Sequence, residues 1–520
     1  MRCSHQISWV ASINSDLRKK SACKNYGKVR RQPINFPFDN SYARLPEEFF
    51  SPAKPAGVAA PRLLLFNEAL ADQLGIERDG ATDDELAQVF SGQRLVEGSQ
   101  PLAQAYAGHQ FGQFVPQLGD GRAILLGEVV NRQGQRFDVQ LKGAGRTLFS
   151  RGGDGLAPIG PVLREFLVSE AMYALGVPTT RALAAVATGA TVERDRPLPG
   201  AILTRVAASH LRIGTVQLFA ARGNRQALNT LVEYTLQRHY PDHPIDPTPA
   251  MTLLQAVCEQ QARLVARWMA LGFIHGVMNT DNMTLSGETI DYGPCAFMDQ
   301  YNPQTRFSSI DHGGRYAYGN QPIIAQWNLA RLAEALLPAE TKPNASLEPA
   351  KAIIEQFMPR YEQLWLEAFN AKLGLAEVIE GDRQRLEHLH TLMQAGTADF
   401  TQTFRGLARW LQTEELAALP AGLQQQPELP AWLADWQQRL TRQGRTSTAV
   451  AQAMNRVNPY VIPRNHQVEA VLTAAEQGNL TPFEQMLAAV RRPYEEGPGQ
   501  EEFSTPAPLT ERVYQTFCGT

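Results

Sequence analysis

Between residues 120 and 142 the apolar positions first run together and then alternate. Residues 123–130 form a compact apolar run, residues 131–135 read as a turn, and Phe137, Val139 and Leu141 alternate with polar neighbours. A period of two puts successive side chains on opposite faces of a strand, so the segment predicts a β-hairpin ending at Lys142. Over residues 161–175 the spacing becomes helical, with Val162, Phe166, Ser169/Glu170 and Tyr173 on one side and Gly176 as the stop. Residues 197–206 resume as a strand. A longer stripe of Met251, Leu254, Val257/Cys258, Leu264/Val265 and Trp268 predicts a core helix over 248–271, with Pro249 near its start and Gly272 at its end.

That helix delivers the chain to His275. Beyond it, residues 283–285 and 289–290 flank Ser286-Gly287-Glu288 and read as a short hairpin that returns the chain to Asp291. Residues 35–101 mix proline with short apolar runs such as Leu63-Leu64-Leu65-Phe66, and are expected to pack as a lead-in on the first half of the chain. From residue 326 onward Leu, Ala, Gln and Glu recur at helical spacing, with residues 420–430 as the expected flexible break and no internal repeat. Residues 1–32 carry many Lys and Arg, a single acid in Asp16, and several serines. They are expected to be a disordered extension or a misassigned start, an organellar transit peptide being the alternative.

Composition narrows the classes. The chain has 520 residues, which suits one catalytic unit with helical additions. Its 49 basic and 52 acidic residues leave a net charge of −3, so bulk electrostatics gives no reason to expect a nucleic-acid or membrane partner. Cys3, Cys23, Cys258, Cys295 and Cys518 are scattered and lack metal-ligand spacing, which fits a reducing, cytoplasmic setting. No apolar run approaches the roughly 20 residues that span a bilayer.

The candidate chemistry gathers around His275. Protein kinases place a catalytic Asp shortly before a metal-binding Asn, and a D-F-G Asp further on completes the metal site. Here His275, Asn282 and Asp291-Tyr292-Gly293 keep that order and spacing, but Val277 stands where the catalytic Asp would be. Val cannot orient or deprotonate a hydroxyl. Either the chain does no chemistry, or it transfers nucleotide with a carboxylate elsewhere; Asp281, next to Asn282, is placed to reach a hydroxyl or else to make a loop hydrogen bond. Asn282 and Asp291 are oxygen ligands that suit Mg²⁺ together with nucleotide phosphates. Lys142 ends an apolar strand and needs a partner, which Glu165 on the next helix supplies, as in kinases that hold phosphates; an ordinary surface pair is the alternative. Gly119, Gly121 and Arg122 sit in a turn that admits a phosphate or merely shapes the chain. Asp154 and Gly155 belong to a glycine-rich segment that closes on ligand or simply turns. Arg205 and Arg212 bracket the connection between the halves, as bidentate phosphate contacts or as salt bridges.

The strings Gln140-Leu141-Lys142-Gly143-Ala144-Gly145, Ser169-Glu170-Ala171-Met172, residues 176–183 and His275 through Asn282 with Asp291-Tyr292-Gly293 resemble the selenoprotein O family from about residue 35 onward. That resemblance implies an α+β, two-lobed protein-kinase-like fold. Its parts would be an extension over 1–34, a lead-in over 35–100, an N-lobe over 101–206, a C-lobe core over 207–330 and a helical region over 331–520. It also implies protein adenylyltransferase activity, moving AMP from ATP to Ser, Thr or Tyr hydroxyls with Mg²⁺ or Mn²⁺. ATP would lie flipped relative to kinases, with Arg205 and Arg212 on the γ-phosphate. Lys142, Gly119, Gly121, Arg122, Asp154, Gly155 and Asp291 would complete the nucleotide site, Asp281 would be the general base, and Asn282 and Asp291 would hold metal. Some bacterial relatives use UTP with Mn²⁺ instead; a phosphotransferase and a non-catalytic pseudokinase scaffold are the rival readings. The family ends in a selenocysteine or cysteine close to the terminus, and here Cys518 occupies that place as a redox candidate, with Cys295 or Cys258 as an internal partner.

Overall fold

The computed structural model describes residues 34–243, 248–508 and 510–516. Its sheet elements begin with β1 (Phe50–Pro52), β2 (Arg62–Phe66) and β3 (Leu102–Gln104). A separate ribbon follows, β4 (Gly108–Gln110) with β5 (Gln113–Val115), and then β6 (Ala123–Val130), β7 (Arg136–Lys142), β8 (Ala157–Pro158), β9 (Arg181–Glu193) and β10 (Pro197–Ala207). The main sheet has eight strands in the order β1-β3-β6-β7-β10-β9-β2, with β8 added on β10. Every paired strand in it is antiparallel.

The predicted hairpin is β6–β7, with Ala123 opposite Lys142. Its alternation has a purpose: Val139 and Leu141 join Ile124, Leu126, Ile202 and Val206 in an apolar cluster covered by α1 (Glu68–Leu74) and α2 (Asp83–Phe90). Asp138, Gln140 and Lys142 therefore point to the other face. On the neighbouring strand Arg205 lies opposite Gln140 and Leu203 opposite Lys142, so Lys142 and Arg205 share that face. The segment expected as a lead-in is more deeply built in, since β1 and β2 are the two edge strands.

α3 (Ile159–Ala174) covers the polar face. Val162, Leu163, Phe166 and Leu167 pack on Ala185, Ala201 and Leu203 of the sheet. Tyr173, expected on the apolar side, is instead 49% exposed and lies under the Arg181 guanidinium at 3.4 Å. The helical remainder runs through α4 (Ile213–Ala221), α5 (Arg225–His239), α6 (Pro249–Leu271), the short β11 (Phe273–Ile274) and β12 (Ala296–Phe297), α7 (Gln321–Leu336) and α8 (Pro343–Lys372). It continues with α9 (Asp382–Ala395), α10 (Phe400–Thr413), α11 (Ala421–Gln424), α12 (Leu429–Thr441), α13 (Ser447–Val457), α14 (Asn465–Glu476) and α15 (Thr481–Val490). Val468, Leu472, Phe483 and Met486 of α14 and α15 return to α3 and complete its core. α6 ends as expected, with Gly272 at φ 70° closing the last turn and donating to Trp268 and Met269.

Two expectations need correction. Residues 283–290 do not pair as a hairpin: Thr284 bridges Arg212 while Thr289 bridges Thr179. The turn is closed instead by the Thr284 hydroxyl, which donates to the Glu288 carbonyl at 2.7 Å and accepts from its N–H at 2.9 Å. The stretch 420–430 is no open break, because α11 lies within it and Leu423 and Leu429 are fully buried. Among the described residues no helix is long and apolar enough to cross a membrane.

At the end of α8, Lys372 is 3% exposed and its ammonium sits 4.2 Å from the Phe404 ring. Burial pushes its pKa down from 10.5 to about 7. Between these values the unfolded chain binds the proton and the folded chain does not, so stability rises with pH from about 7 to 10.5 and the penalty is complete below that window. Lys372→Met should therefore raise the thermal midpoint most at pH 6–7, with the gain shrinking as pH climbs toward about 10. A pH-independent gain measured by circular dichroism would contradict a buried, proton-poor amine.

Candidate active site

Four charged side chains meet where the polar face of the sheet, α3 and the turn at Asp291 converge. Lys142 Nζ donates to Glu165 Oε2 at 2.6 Å and to Asp291 Oδ1 at 2.7 Å. Arg205 Nη1 donates to the same Asp291 oxygen at 2.8 Å and to Glu165 Oε1 at 3.2 Å. Its other nitrogens reach residues that sequence reasoning missed, Nη2 donating to Gln140 Oε1 at 2.7 Å and Nε to His210 Nε2 at 3.2 Å. His210 Nδ1 lies 2.9 Å from Asp138 Oδ2. Burial holds the His210 pKa down to about 4, so the ring is neutral: Nδ1 carries the proton toward Asp138 and Nε2 accepts from Arg205. The sequence signal for Asp138 and Gln140 was polar identity at alternate positions of β7, and His210 lies in the loop after β10 with no periodic signal.

Asp291 adopts φ 65°, a left-handed backbone uncommon outside glycine. Burial alone would raise its pKa, but Lys142, Arg205 and Arg212 outweigh that and hold the carboxylate well below the usual range. Its side chain keeps 26% exposure, facing the cleft.

Arg212 is oriented by the Tyr106 ring, 4.4 Å below its guanidinium. Nε donates to the His210 carbonyl at 3.1 Å and Nη1 to the Asp281 carbonyl at 3.0 Å, while Nη2 is buried with no hydrogen-bond partner among the described residues. Asp281 stands in a 3₁₀ turn, Thr280–Asn282. Its Oδ2 accepts from Gln110 Nε2 at 3.1 Å, and its Oδ1 is buried with no hydrogen-bond partner among the described residues. Burial pushes its pKa up to about 6, against the pull of Gln110 and Arg212. Asn282 Nδ2 donates to the Val277 carbonyl at 3.0 Å. His275 braces the loop, Nε2 donating to the Ile290 carbonyl at 2.9 Å and Nδ1 accepting from the Val277 N–H at 3.3 Å.

One cavity of about 520 Å³ is lined by Gly119, Gly121, Arg122, Lys142, Asp154, Gly155, Glu165, Arg205, Arg212, Asp281, Asn282 and Asp291. The residues singled out in the sequence thus converge, apart from Cys518, which lies outside the described residues. Cys258 and Cys295 are buried free thiols whose pKa values burial raises to about 12. The glycines serve the fold as well as the cleft. A Cβ on Gly119 would meet the Phe149 ring at 2.3 Å, and one on Gly155 would meet the Gly145 carbonyl oxygen at 2.2 Å. Asp154 is paired with Arg194 at 2.7 Å, another residue the sequence did not single out.

The chain matches the family model described as "Protein adenylyltransferase SelO" over residues 32–491. It belongs to the SelO family. Relatives named "Protein nucleotidyltransferase YdiU" include that of Rhizobium leguminosarum bv. trifolii, 54% identical over 488 residues, or 93% of this chain and 97% of the relative. The relative from Sphingopyxis alaskensis is 53% identical over 488 residues, covering 94% of this chain and 100% of its own length. That from Rhodopseudomonas palustris is 52% identical over 489 residues, covering 94% and 100%. Membership at this identity and coverage makes the SelO-family chain an enzyme of the nucleotidyltransferase class.

In the SelO-family cavity, replacing Arg205 by Met leaves Glu165 to Lys142, and Asp291 to Lys142 and the more distant Arg212. Removing one partner from a buried ionic cluster costs roughly 3–5 kcal/mol, and Arg205→Met should lose that much in urea unfolding. A loss below about 1 kcal/mol would show that Lys142 suffices for both carboxylates.

Proposed function

We propose that this chain transfers AMP from ATP to Ser, Thr or Tyr hydroxyls of proteins, on a two-lobed kinase-like scaffold. In that scaffold residues 101–206 form the N-lobe, 207–330 the C-lobe core and 331–520 the added helices, with 35–100 as the lead-in. The observation that carries the reading is a complementary pair in one cavity: Arg212 Nη2 is a buried cationic donor without an acceptor, and Asp281 is a carboxylate with a single protein hydrogen bond. A buried guanidinium N–H without an acceptor suits a phosphate oxygen, and an under-solvated carboxylate suits a proton.

Lys142, Arg205 and Arg212 would hold the phosphates, with Gly119, Gly121, Arg122, Asp154 and Gly155 enclosing the nucleotide. The residues present also fit a hard cation. Among the described residues no cluster of three or more His, Cys, Asp or Glu forms a metal cage, so the protein would supply Asn282 and Asp291 and the phosphates the rest. Asn282 commits its nitrogen to Val277, so its oxygen is the atom that would serve a cation. Asp291 Oδ2 lies 3.9 Å from Arg212, while Oδ1 takes both shorter contacts, from Lys142 and Arg205. Mg²⁺ or Mn²⁺ bound there would clamp phosphate oxygens and offset their charge. In the transfer itself the acceptor oxygen bonds to the α-phosphorus, its proton passes to Asp281, and the bond to the bridging oxygen breaks to release pyrophosphate. Val277, which lines the same cavity, leaves the usual kinase position without a base. The buried free Cys258 and Cys295 suit a reducing cytoplasm, with Cys518 as a redox handle; the charge balance calls for neither nucleic acid nor membrane.

ATP carrying label on the α-phosphate should mark protein, whereas γ-label should not, and Asp281→Ala should slow the reaction by about 10² to 10⁴. Transfer of γ-label alone would replace this reading with a phosphotransferase, α-label transferred faster from UTP would make it a uridylyltransferase, and no transfer of either would leave a scaffold. Asp291→Ala should keep its circular dichroism spectrum and lose on the order of 10²-fold in transfer. A folded variant retaining more than about a tenth of the rate would remove Asp291 from the metal site.

A further inference from the structure

The β4–β5 ribbon has no part in the nucleotide chemistry just described, yet it is fastened to the turn that carries Asp281. His109 N–H donates to Thr280 Oγ1 at 2.7 Å, and Phe111 N–H donates to Asn279 Oδ1 at 3.0 Å. Thr280 Oγ1 in turn donates to Gln217 Oε1 at 2.6 Å, and Gln217 Nε2 lies 2.8 Å from His109 Nδ1. The ribbon's entry is tied to α4, where Ala107 N–H donates to the Gly214 carbonyl at 3.0 Å. A Cβ on Gly214 would come within 2.1 Å of the Ala107 oxygen, so the approach leaves no room for a side chain.

These contacts hold Gly108 and Gln110 on either side of the Asp281 carboxylate. Oδ1 is wedged beneath Gly108, where an added Cβ would lie 3.1 Å from it. Oδ2 is therefore the oxygen that meets the cavity, and Gln110, which lines the same cavity, is its protein partner at 3.1 Å. We infer that Gln110 is a positioning residue for the transfer: its side-chain N–H fixes the rotation of the Asp281 carboxylate so that a lone pair of Oδ2 faces the acceptor hydroxyl. This rests on the proposed role of Asp281 as base. When the acceptor oxygen bonds to the α-phosphorus and pyrophosphate leaves, the hydroxyl proton goes to Oδ2, and the Gln110 bond keeps that oxygen in line. An amide suits the task because it donates without competing for the proton, as an acid would.

Gln110→Met keeps the length and apolar stem of the side chain and removes the donor. Steady-state transfer from α-labelled ATP should show kcat lowered about tenfold or more, with the ATP dissociation constant within about twofold of the parent, because Gln110 contacts none of Lys142, Arg205 or Asp291. Added to Asp281→Ala, the same substitution should cause no further loss, since a carboxylate that is absent needs no orientation. Gln110→Lys, which restores a donor of similar reach, should recover part of the rate. An equal fold loss with and without Asp281, or a weakened ATP affinity at unchanged kcat, would overturn the assignment. An Asp281→Ala enzyme with undiminished transfer would overturn the base reading itself and this inference with it.

Discussion

Lys142 and Arg205 stand on adjacent strands and share two carboxylates that come from distant parts of the chain, Glu165 from α3 and Asp291 from the turn beyond the His275 loop. Taking such charges out of water costs several kcal/mol for each ion, and only close, multiple pairing offsets it. The cluster therefore exists only when sheet, helix and turn are all in place. It also depends on register: a slip of one residue between β7 and β10 would carry Lys142 or Arg205 to the apolar face packed against α1 and α2. Behind the cluster, Gln140, His210 and Asp138 continue the polar face. Arg238 of α5 closes it by donating to Asp138 at 2.6 Å and pairing with Glu128. The buried polar layer thus joins the sheet to the helices that carry the cleft, and the cleft inherits its rigidity.

Local pattern revealed the elements with one dominant period. β6, β7, β10, α3 and α6 were legible because alternation or a helical stripe set their buried faces. β9 escaped notice: its Arg181–Glu193 sequence is rich in Ala, buried through neighbours rather than through bulky residues of its own. The turn over 283–290 misled because Ser-Gly-Glu resembles hairpin chemistry, whereas the Thr284 hydroxyl does the closing. Within the site, the acids and bases with kinase-like spacing were visible, and their supports were not. Gln110, Gln140, His210 and Arg194 are ordinary polar residues until the fold brings them within hydrogen-bond reach of Asp281, Arg205 and Asp154. No periodicity in one segment records a contact with another.

The glycines near the cleft line the cavity and also pack against the protein's own loop. Gly119 and Gly121 both abut the Phe149–Ser150 backbone or the Phe149 ring, and Gly155 abuts Gly145. Thr147 Oγ1 donates to the Asp120 carbonyl at 2.6 Å, and Leu156 N–H to Asp154 Oδ1 at 3.0 Å. The absence of side chains first lets the protein's own loop pack against the sheet, and that packing then leaves backbone lining the cavity. In the proposed site, room for a phosphate would be a by-product of tight loop packing, so that room and the stability of the loop would be set by the same residues.

Counting donors separates the two arginines that the sequence treated alike. Arg205 spends Nε on His210, Nη2 on Gln140 and Nη1 on both carboxylates, so each of its nitrogens already has a protein acceptor. Arg212 is held by two backbone carbonyls and an aromatic face, its nearest carboxylate oxygen is Asp291 Oδ2 at 3.9 Å, and among the described residues Nη2 has no acceptor. A phosphate arriving in the cleft would have to displace a partner to gain Arg205 but would meet Arg212 already oriented, so the electrostatic gain there comes with little reorganisation. In the proposed reaction Arg205 would meet phosphate while still holding Asp291 and Glu165, whereas Arg212 would offer a donor that needs no partner displaced. The backbone carbonyl that anchors Arg212 Nη1 belongs to Asp281 itself, so the proposed phosphate contact and the carboxylate are linked through one hydrogen bond.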